Sequence, residues 1–310
     1  MMSLVQNWFL ITIAVYVLHT VNVVIDKFLL GRRIDRASVY AFLSGILSVF
    51  VLVLLPYASS AFPSGVVVGY SLLAGFAFVF ALYFYSYAIQ HDDASRVAPL
   101  IGGIAPLFVV WFSWLLWSEK LNGNDLSGFL LLAGGMIVLA LSGFLKDSYT
   151  LKEFGATLVS AFLFAVSYFF AKATFNEVLF IDGVIWIRMG AFFASLLFLA
   201  SPAVRNFFRS EQKNLLWGST GALLLGNKLL GALALLFLNY AIALAPHVGI
   251  VNALQGIEFV LVFCAATALS HWYPAILEEK LTVPVLALKT IAILLVGIGV
   301  FFIARPLIHI

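Results

Sequence analysis

Charged residues are scarce in this chain of 310 residues: only 10% are Asp, Glu, Lys or Arg, while 64% are apolar. A soluble domain is nearer to half apolar and a quarter charged. The mean hydropathy of +1.10 leaves too little polar surface to cover a globule. The formal net charge of +3 is small and indicates no acidic partner. These deficits exclude an ordinary soluble enzyme, a disordered protein and a nucleic-acid-binding protein.

Cysteine and the common catalytic motifs are also missing. Cys264 is the single cysteine, so no disulfide can form within the chain. The sequence contains no HExxH, G-x-S-x-G or P-loop pattern. The cluster His91-Asp92-Asp93 is more typical of a solvated turn than of a metal site. We therefore predict no catalytic activity, metal or cofactor, and any pumping must use a gradient or exchange.

Ten long apolar runs take up nearly all of the chain. A bilayer span needs about 20 apolar residues, and in lipid such a span must be helical to satisfy its own backbone. The runs lie at 7–30, 37–56, 65–90, 95–118, 126–145, 154–175, 180–200, 214–244, 247–271 and 283–304. The sequence thus predicts an all-α integral membrane protein with ten transmembrane helices, located in the cell (inner) membrane.

The two halves of the chain resemble each other. Residues 96–116 align with residues 247–267, and Glu-Lys-Leu follows each stretch, at 119–121 and at 279–281. Each half, 1–147 and 148–310, holds five spans, and an odd number inverts the second copy in the membrane. Inverted repeats are typical of secondary transporters, whose site lies near the midplane between the repeats. We predict two inverted five-helix repeats that form one membrane domain.

Short motifs on these spans carry a resemblance that covers nearly the whole chain. They are Ala81-Leu82-Tyr83, Ala94 to Leu100, Pro106, Glu119-Lys120-Leu121, Gly128, Gly134-Gly135, Asn239-Tyr240-Ala241, Glu279 to Thr282, Gly297 and Gly299. In this order they resemble the EamA-like branch of the drug/metabolite transporter superfamily. The resemblance implies a transporter, often an exporter, of small polar metabolites. The chain departs from the family pattern at Gly256-Ile257-Glu258, where a proline is usual, and at Lys228 inside the eighth span.

Glu258 is the one acidic residue in the middle of a predicted span, and Lys228 stands near the centre of the eighth. A charge at the midplane is costly, so it normally faces protein or water and has a partner. Glu258 is therefore either a site for a substrate amine or a proton, or half of a structural ion pair with Lys228 or Lys289. Lys228 either binds an anionic group of the substrate or neutralises Glu258.

Two further groups of polar side chains are candidates for the same site. Asn252 and Gln255 precede Glu258 at steps of three, which predicts one slanting polar stripe on the ninth helix. His19 and Asn22 share a face of the first helix, and a histidine can carry a proton near neutral pH. Either set lines a cavity or forms hydrogen bonds between helices, which hold the bundle together.

Other features have weaker or divided interpretations. Tyr83 and Trp111 are deep aromatic residues that can line a pocket and stack on a ring or a cation. Arg188 and Lys289 lie eight and six residues from the nearer span end, so we expect them to extend towards the interface. Gly65 and Gly69 form a small-xxx-small pattern that allows close helix contact within one chain or in a homodimer.

Basic residues are distributed unequally between the odd-numbered and the even-numbered connections. Of the 17 Lys and Arg residues, 11 belong to the odd-numbered connections and their flanks. The opposite side has only Lys120, Lys172 and Arg305. The positive-inside rule places the first group in the cytoplasm. Both termini are then predicted to lie outside the cell membrane.

Together these patterns predict a secondary active transporter that exports small polar metabolites such as amino acids. Its partners are a small-molecule substrate, the lipid bilayer and, if Glu258 titrates, protons. A cation and an anion at the midplane suit a zwitterion. Two alternatives remain open: a flippase for lipid-linked sugars or a nucleotide-sugar or phosphate-type carrier, and a non-transporting membrane subunit or scaffold.

Overall fold

A computed structural model describes residues 4–30, 37–59, 62–91, 94–144, 150–209, 218–272 and 283–308. Within these ranges the protein is all-helical and has no strand. The first half contains α1 (Leu4–Leu30), α2 (Ala37–Ile46) with its 3-10 continuation Leu47–Tyr57, α3 (Gly65–His91), α4 (Ala94–Trp117) and α5 (Gly123–Phe144). The second half contains α6 (Leu151–Glu177), α7 (Phe180–Leu197) with its 3-10 continuation Phe198–Ala200, α8 (Pro202–Arg209), α9 (Gly218–Leu244), α10 (Val248–Ala253), α11 (Gly256–Trp272) and α12 (Val283–Ile308).

The helices follow the predicted apolar runs to within a few residues. Nine helical segments of the described chain are long and apolar enough to cross a membrane. The remaining predicted span is the first one, 7–30. It corresponds to α1, whose apolar part, Trp8–Val23, is shorter. The prediction of an all-α protein with many membrane spans is confirmed.

Two details of the second half differ from the prediction. The ninth run is two helices, α10 and α11, because the chain makes a turn at Leu254 and Gln255. In that turn the Gln255 amide donates to the Asn252 carbonyl oxygen at 3.1 Å, a three-residue step tighter than that of an α-helix. The segment between the seventh and eighth spans contains the short helix α8, whose Val204 and Phe207 are buried against α2 and α7.

Three helix pairings recur when the two halves are exchanged, whereas the packing of α3 on α7 has no equivalent between α9 and α2 among the described residues. Helix α3 packs along α6, and its counterpart α9 packs along α1. Helix α4 packs on α6, while α11 packs on α1. The last spans of the halves, α5 and α12, pack on each other. The arrangement of the halves as two inverted repeats stays a prediction.

Glycines allow two helix pairs, α5 with α12 and α3 with α7, to touch backbone to backbone. A Cβ atom on Gly128 of α5 would lie 3.0 Å from the Gly299 carbonyl oxygen of α12, and the reverse distance is also 3.0 Å. On α3, a Cβ on Gly75 would collide with the Ile187 carbonyl oxygen and the Ala191 nitrogen of α7. Small residues make such close contacts possible in membranes, where packing rather than the hydrophobic effect holds helices together.

Candidate functional site

The break in the ninth span places Glu258 in the first turn of α11. Its side chain is only 4% exposed. Gln255, in the turn before α11, donates from Nε2 to Glu258 Oε2 at 3.3 Å. Among the residues that the structure describes, this is the only hydrogen bond of the carboxyl group, and it forms no ion pair with them. Broken helices at membrane depth are typical of the binding sites of transporters.

Helix α1 brings two ring side chains to the same region. The Tyr16 hydroxyl donates to the Val251 carbonyl oxygen of α10 at 2.9 Å. That carbonyl lies near the end of α10, where a helix lacks partners for its last carbonyl groups. The His19 ring is 6.4 Å from the Tyr16 ring. Its Nε2 is buried and has no hydrogen-bond partner among the described residues. An unsatisfied buried polar atom is costly, so it calls for a functional explanation.

A cavity lies inside the bundle between α3, α6, α7 and α9, and thus between both halves of the chain. It is small, with room for about one water molecule. Its walls are Gly75, Phe78, Ser167, Tyr168, Ala171, Ile187, Arg188, Ala191, Leu235 and Asn239. Four of these residues carry polar side-chain groups, which is an unusual concentration for a membrane interior.

Arg188 supplies the positive charge of this cavity. Its guanidinium carbon lies 5.3 Å from the centre of the Phe78 ring, at the distance of a cation–π contact. Its placement contradicts our expectation that Arg188 extends towards the membrane interface. Lys289 is likewise buried, at 4% exposure, with Nζ 4.2 Å from the centre of the Phe263 ring. Neither side chain is therefore explained by extension to the interface.

Tyr168 connects the cavity to the carboxyl group of Glu258. It lies in the cavity wall and is within electrostatic reach of both Glu258 and Arg188. Tyr16 is in turn within reach of Tyr168 and Glu258. The structure thus brings together an acid, a base and two phenols from α1, α6, α7 and α11.

The predicted polar residues divide into those that hold helices together and those near the site. Asn22 donates from Nδ2 to the Asn227 carbonyl oxygen at 2.7 Å and to Asn227 Oδ1 at 3.0 Å, which ties α1 to α9. Asn252 is 2% exposed and donates to the Val248 carbonyl oxygen within α10 at 3.1 Å. The helix predicted to carry Asn252, Gln255 and Glu258 as one stripe is interrupted by a turn at Leu254 and Gln255, while Gln255 and Glu258 are hydrogen-bonded to each other.

Two aromatic candidates lie elsewhere, and other candidates cannot be placed. Tyr83 packs on Phe198 at 5.4 Å between ring centres, in a hydrophobic cluster of α2, α3, α7 and α8. Trp111 is 47% exposed on α4. Neither belongs to the cavity wall described above. The side chain of Lys228, the residues Asp92-Asp93 and the second Glu-Lys-Leu at 279–281 lie outside the described residues.

Sequence reasoning missed Tyr16, Ser167, Tyr168 and Asn239. Tyrosine and serine are common in membrane helices, so neither type stands out without knowledge of which face points inward. Asn239 offered a better signal, because it belongs to the motif Asn239-Tyr240-Ala241 in the middle of an apolar run. A buried amide in a membrane helix usually has an assigned partner on a neighbouring helix or faces a cavity.

Comparison with known proteins agrees with this architecture. A sequence model described as the EamA-like transporter family matches residues 6–141. Residues 6–141 of the chain are therefore similar to the EamA-like transporter family. That family is part of the drug/metabolite transporter superfamily. Members of the EamA-like family are transporters rather than enzymes.

The fold extends beyond the matched segment. A solved structure, titled only as the crystal structure of a protein, superposes with a TM-score of 0.67 at 15% sequence identity. The match covers 98% of this chain and 98% of that one. At this identity the likeness concerns the fold alone, and it includes the second half of the chain. No curated protein sequence matches the chain significantly.

Proposed function

We propose that this EamA-like protein is a secondary active transporter that exports small polar metabolites such as amino acids. The substrate passes by alternating access through the cavity between the two halves, residues 1–147 and 148–310. The direction is the one that the family resemblance implies. A cavity with one positive group, one nearby acid and neutral hydrogen-bonding groups suits a zwitterion better than a simple ion.

The single observation that supports this proposal is the polar composition of the cavity. Arg188, Ser167, Tyr168 and Asn239 come from three helices and face one space inside the bundle. A scaffold has no use for such a set, because polar groups in lipid are costly unless they are paired. The cavity has room for about one water molecule, which fits a closed conformation that must open to admit a substrate.

Glu258 is the proposed proton-coupling group. Its carboxyl group is buried and has one described partner, the Gln255 amide, so no described cation fixes its charge. A carboxyl group in such a place can exchange a proton when the cavity opens to water, and can respond to a substrate amine. Lys228 remains a second proposed contact, and its substitution belongs in the same experiment.

The proposal is tested first by ligand-dependent thermal stability in detergent. The compounds are amino acids, purines, sugar phosphates, nucleotide sugars and polyamines, added to wild type, Glu258→Gln and Lys228→Met. A ligand at 100 times its Kd stabilises by about 2.7 kcal/mol, which is measurable. We expect amino acids to stabilise wild type and to lose this effect in at least one variant. Stabilisation by nucleotide sugars or sugar phosphates alone would favour the carrier alternative instead.

Transport in proteoliposomes then tests the coupling. We expect a pH gradient to drive amino-acid flux through wild type. Glu258→Gln, which keeps the size of the side chain and removes its charge, should abolish the flux driven by pH and leave exchange of labelled for unlabelled substrate. If Glu258→Gln still couples flux to pH, Glu258 is not the proton site. If wild type neither binds nor moves any compound, the scaffold alternative gains support.

The proposed orientation, with both termini outside, is tested by cysteine labelling in a Cys264→Ala background. Asn124, at the start of α5, and Asn206, on α8, are both exposed and lie at opposite ends of the bundle by connectivity. The positive-inside rule predicts that Asn124→Cys reacts with an impermeant maleimide added to intact cells and Asn206→Cys does not. The reverse pattern would place the termini in the cytoplasm.

A further inference from the structure

Arg188 has an unusual environment for a charged side chain. It lies in the cavity wall of a membrane bundle, and its described partner is the Phe78 ring, 5.3 Å from the guanidinium carbon. Among the described residues it makes no hydrogen bond and no ion pair. Five N–H donors therefore lack an oxygen acceptor in a place where desolvation is costly. Such a site is incomplete without an oxyanion.

The hydroxyl groups beside Arg188 are suited to the same ligand. Ser167 and Tyr168 line the cavity from α6, and neither hydroxyl is hydrogen-bonded to a described residue. Hydroxyl groups rotate and can donate to an oxyanion. The cavity thus presents one fixed cation with two adjustable donors from a neighbouring helix.

We infer that Arg188, together with Ser167 and Tyr168, binds the carboxylate of the transported substrate. This inference rests on the proposed function and adds the orientation of the substrate. A guanidinium matches a carboxylate in planar, two-point geometry. One positive charge balances a monoanion. A phosphate dianion would exceed that charge and would also be repelled by the nearby Glu258 carboxylate.

The cavity wall also offers an acceptor for an ammonium group. Asn239 uses its Nδ2 to donate to the Leu235 carbonyl oxygen at 3.0 Å, which leaves Oδ1 without a described donor. Glu258 lies within electrostatic reach of the cavity residue Tyr168. A substrate amine is therefore held by the Asn239 Oδ1, while the carboxylate is held by Arg188.

The test varies the ligand before it varies the protein. The twenty L-amino acids are added singly to the purified wild-type protein, and each one that stabilises it is compared with its primary amide and with its decarboxylated amine. Both analogues keep the amine and lack the carboxylate. We expect each to bind at least about tenfold more weakly than the amino acid, the effect of losing a charge-assisted pair.

The variants Arg188→Gln and Arg188→Lys then assign the effect to this residue. Arg188→Gln should bind the amino acid and its amide equally, and Arg188→Lys should retain part of the preference because it retains the charge. Lys289→Gln is the matched control: it also removes a buried cation that lies over an aromatic ring, but it lies outside the described cavity wall. It should preserve the full preference for the carboxylate.

The possible outcomes separate the inference from the proposed function. If wild type binds and transports amino acids and their amides equally well, the carboxylate site is refuted and the transporter proposal stands. The same holds if Arg188→Gln folds and keeps the preference. If no amino acid binds or is transported, the proposed function fails and the inference falls with it. Stabilisation by phosphate esters without any by amino acids refutes the carboxylate assignment in favour of a phosphate.

Discussion

The contact between α3 and α7 gives the sharpest prediction for stability. Two glycines of the same helix, Gly69 and Gly75, have opposite surroundings. A Cβ on Gly69 would meet nothing within 4 Å, whereas a Cβ on Gly75 would collide with the Ile187 carbonyl oxygen and the Ala191 nitrogen. Because the obstacles at Gly75 are backbone atoms, no side-chain rotation can relieve the collision. Gly75→Ala and Gly69→Ala therefore form a matched pair.

The expected magnitude follows from two effects. Replacing a glycine inside a helix by alanine stabilises by about 0.5–1 kcal/mol, and this gain is common to both variants. Overpacking at a tight contact costs about 1–3 kcal/mol, and only Gly75→Ala incurs it. Gly75→Ala should thus be less stable than Gly69→Ala by about 1–3 kcal/mol, while Gly69→Ala should equal or exceed wild type.

Thermal unfolding in detergent, followed by tryptophan fluorescence, measures the difference. By the scaling for proteins of moderate size, it corresponds to a Tm gap of roughly 2–12 °C between the two variants. Equal Tm values for the two variants would refute the backbone contact between α3 and α7. A loss of stability in Gly69→Ala would instead show that Gly69 packs on another surface, as the small-xxx-small pattern of a homodimer predicts.

Three further predictions concern buried polar side chains. Lys172 Nζ donates to the Ala243 and Ala245 carbonyl oxygens at 3.0 and 2.8 Å. Lys172→Met should therefore lower the stability measured by thermal unfolding by roughly 2–4 kcal/mol, and Lys172→Arg should lower it by less. A double-mutant cycle with Asn22→Ala and Asn227→Ala should give a coupling of about 0.6–2 kcal/mol, and zero coupling would contradict their hydrogen bonds. His19→Phe removes a buried nitrogen that has no hydrogen-bond partner among the described residues, so the variant should have an equal or higher Tm. Lower transport by this variant would assign His19 to the substrate path. Unimpaired transport would exclude His19 from that path.

The sequence allowed the spans to be predicted because hydropathy depends on local composition alone. A run such as 65–90 must be helical in lipid wherever it packs. The interruption of the ninth span could not be found this way. Residues 247–271 contain no proline to signal a break, and the turn at Leu254 and Gln255 is visible only in the structure, directly before Gly256.

The candidate site was predicted in part, and the reason is geometric. Glu258 stood out because a mid-span acid is rare, and the structure places it in the interior. Arg188 did not stand out, since its distance from the span end fits extension to the interface as well as it fits a cavity. Only the arrangement of α7 against α3, α6 and α9 decides between these two positions. Trp111 shows the opposite case. It lies deep in its span, but its side chain is exposed, because depth in a helix does not reveal the direction of a side chain.

The tight and the polar contacts of this bundle have different consequences for motion. Gly128 and Gly299 bring α5 and α12 into backbone contact, and a seam of this kind resists sliding because any shift drives side chains into backbone. The polar side chains of the cavity wall instead make no described hydrogen bond from one helix to another, so little is lost when the walls separate. We therefore expect α5 and α12 to move together during alternating access, while α7 and α9 change their distance around Arg188. A disulfide across the α5–α12 seam should leave transport intact, and one that joins α7 to α9 beside the cavity should stop it.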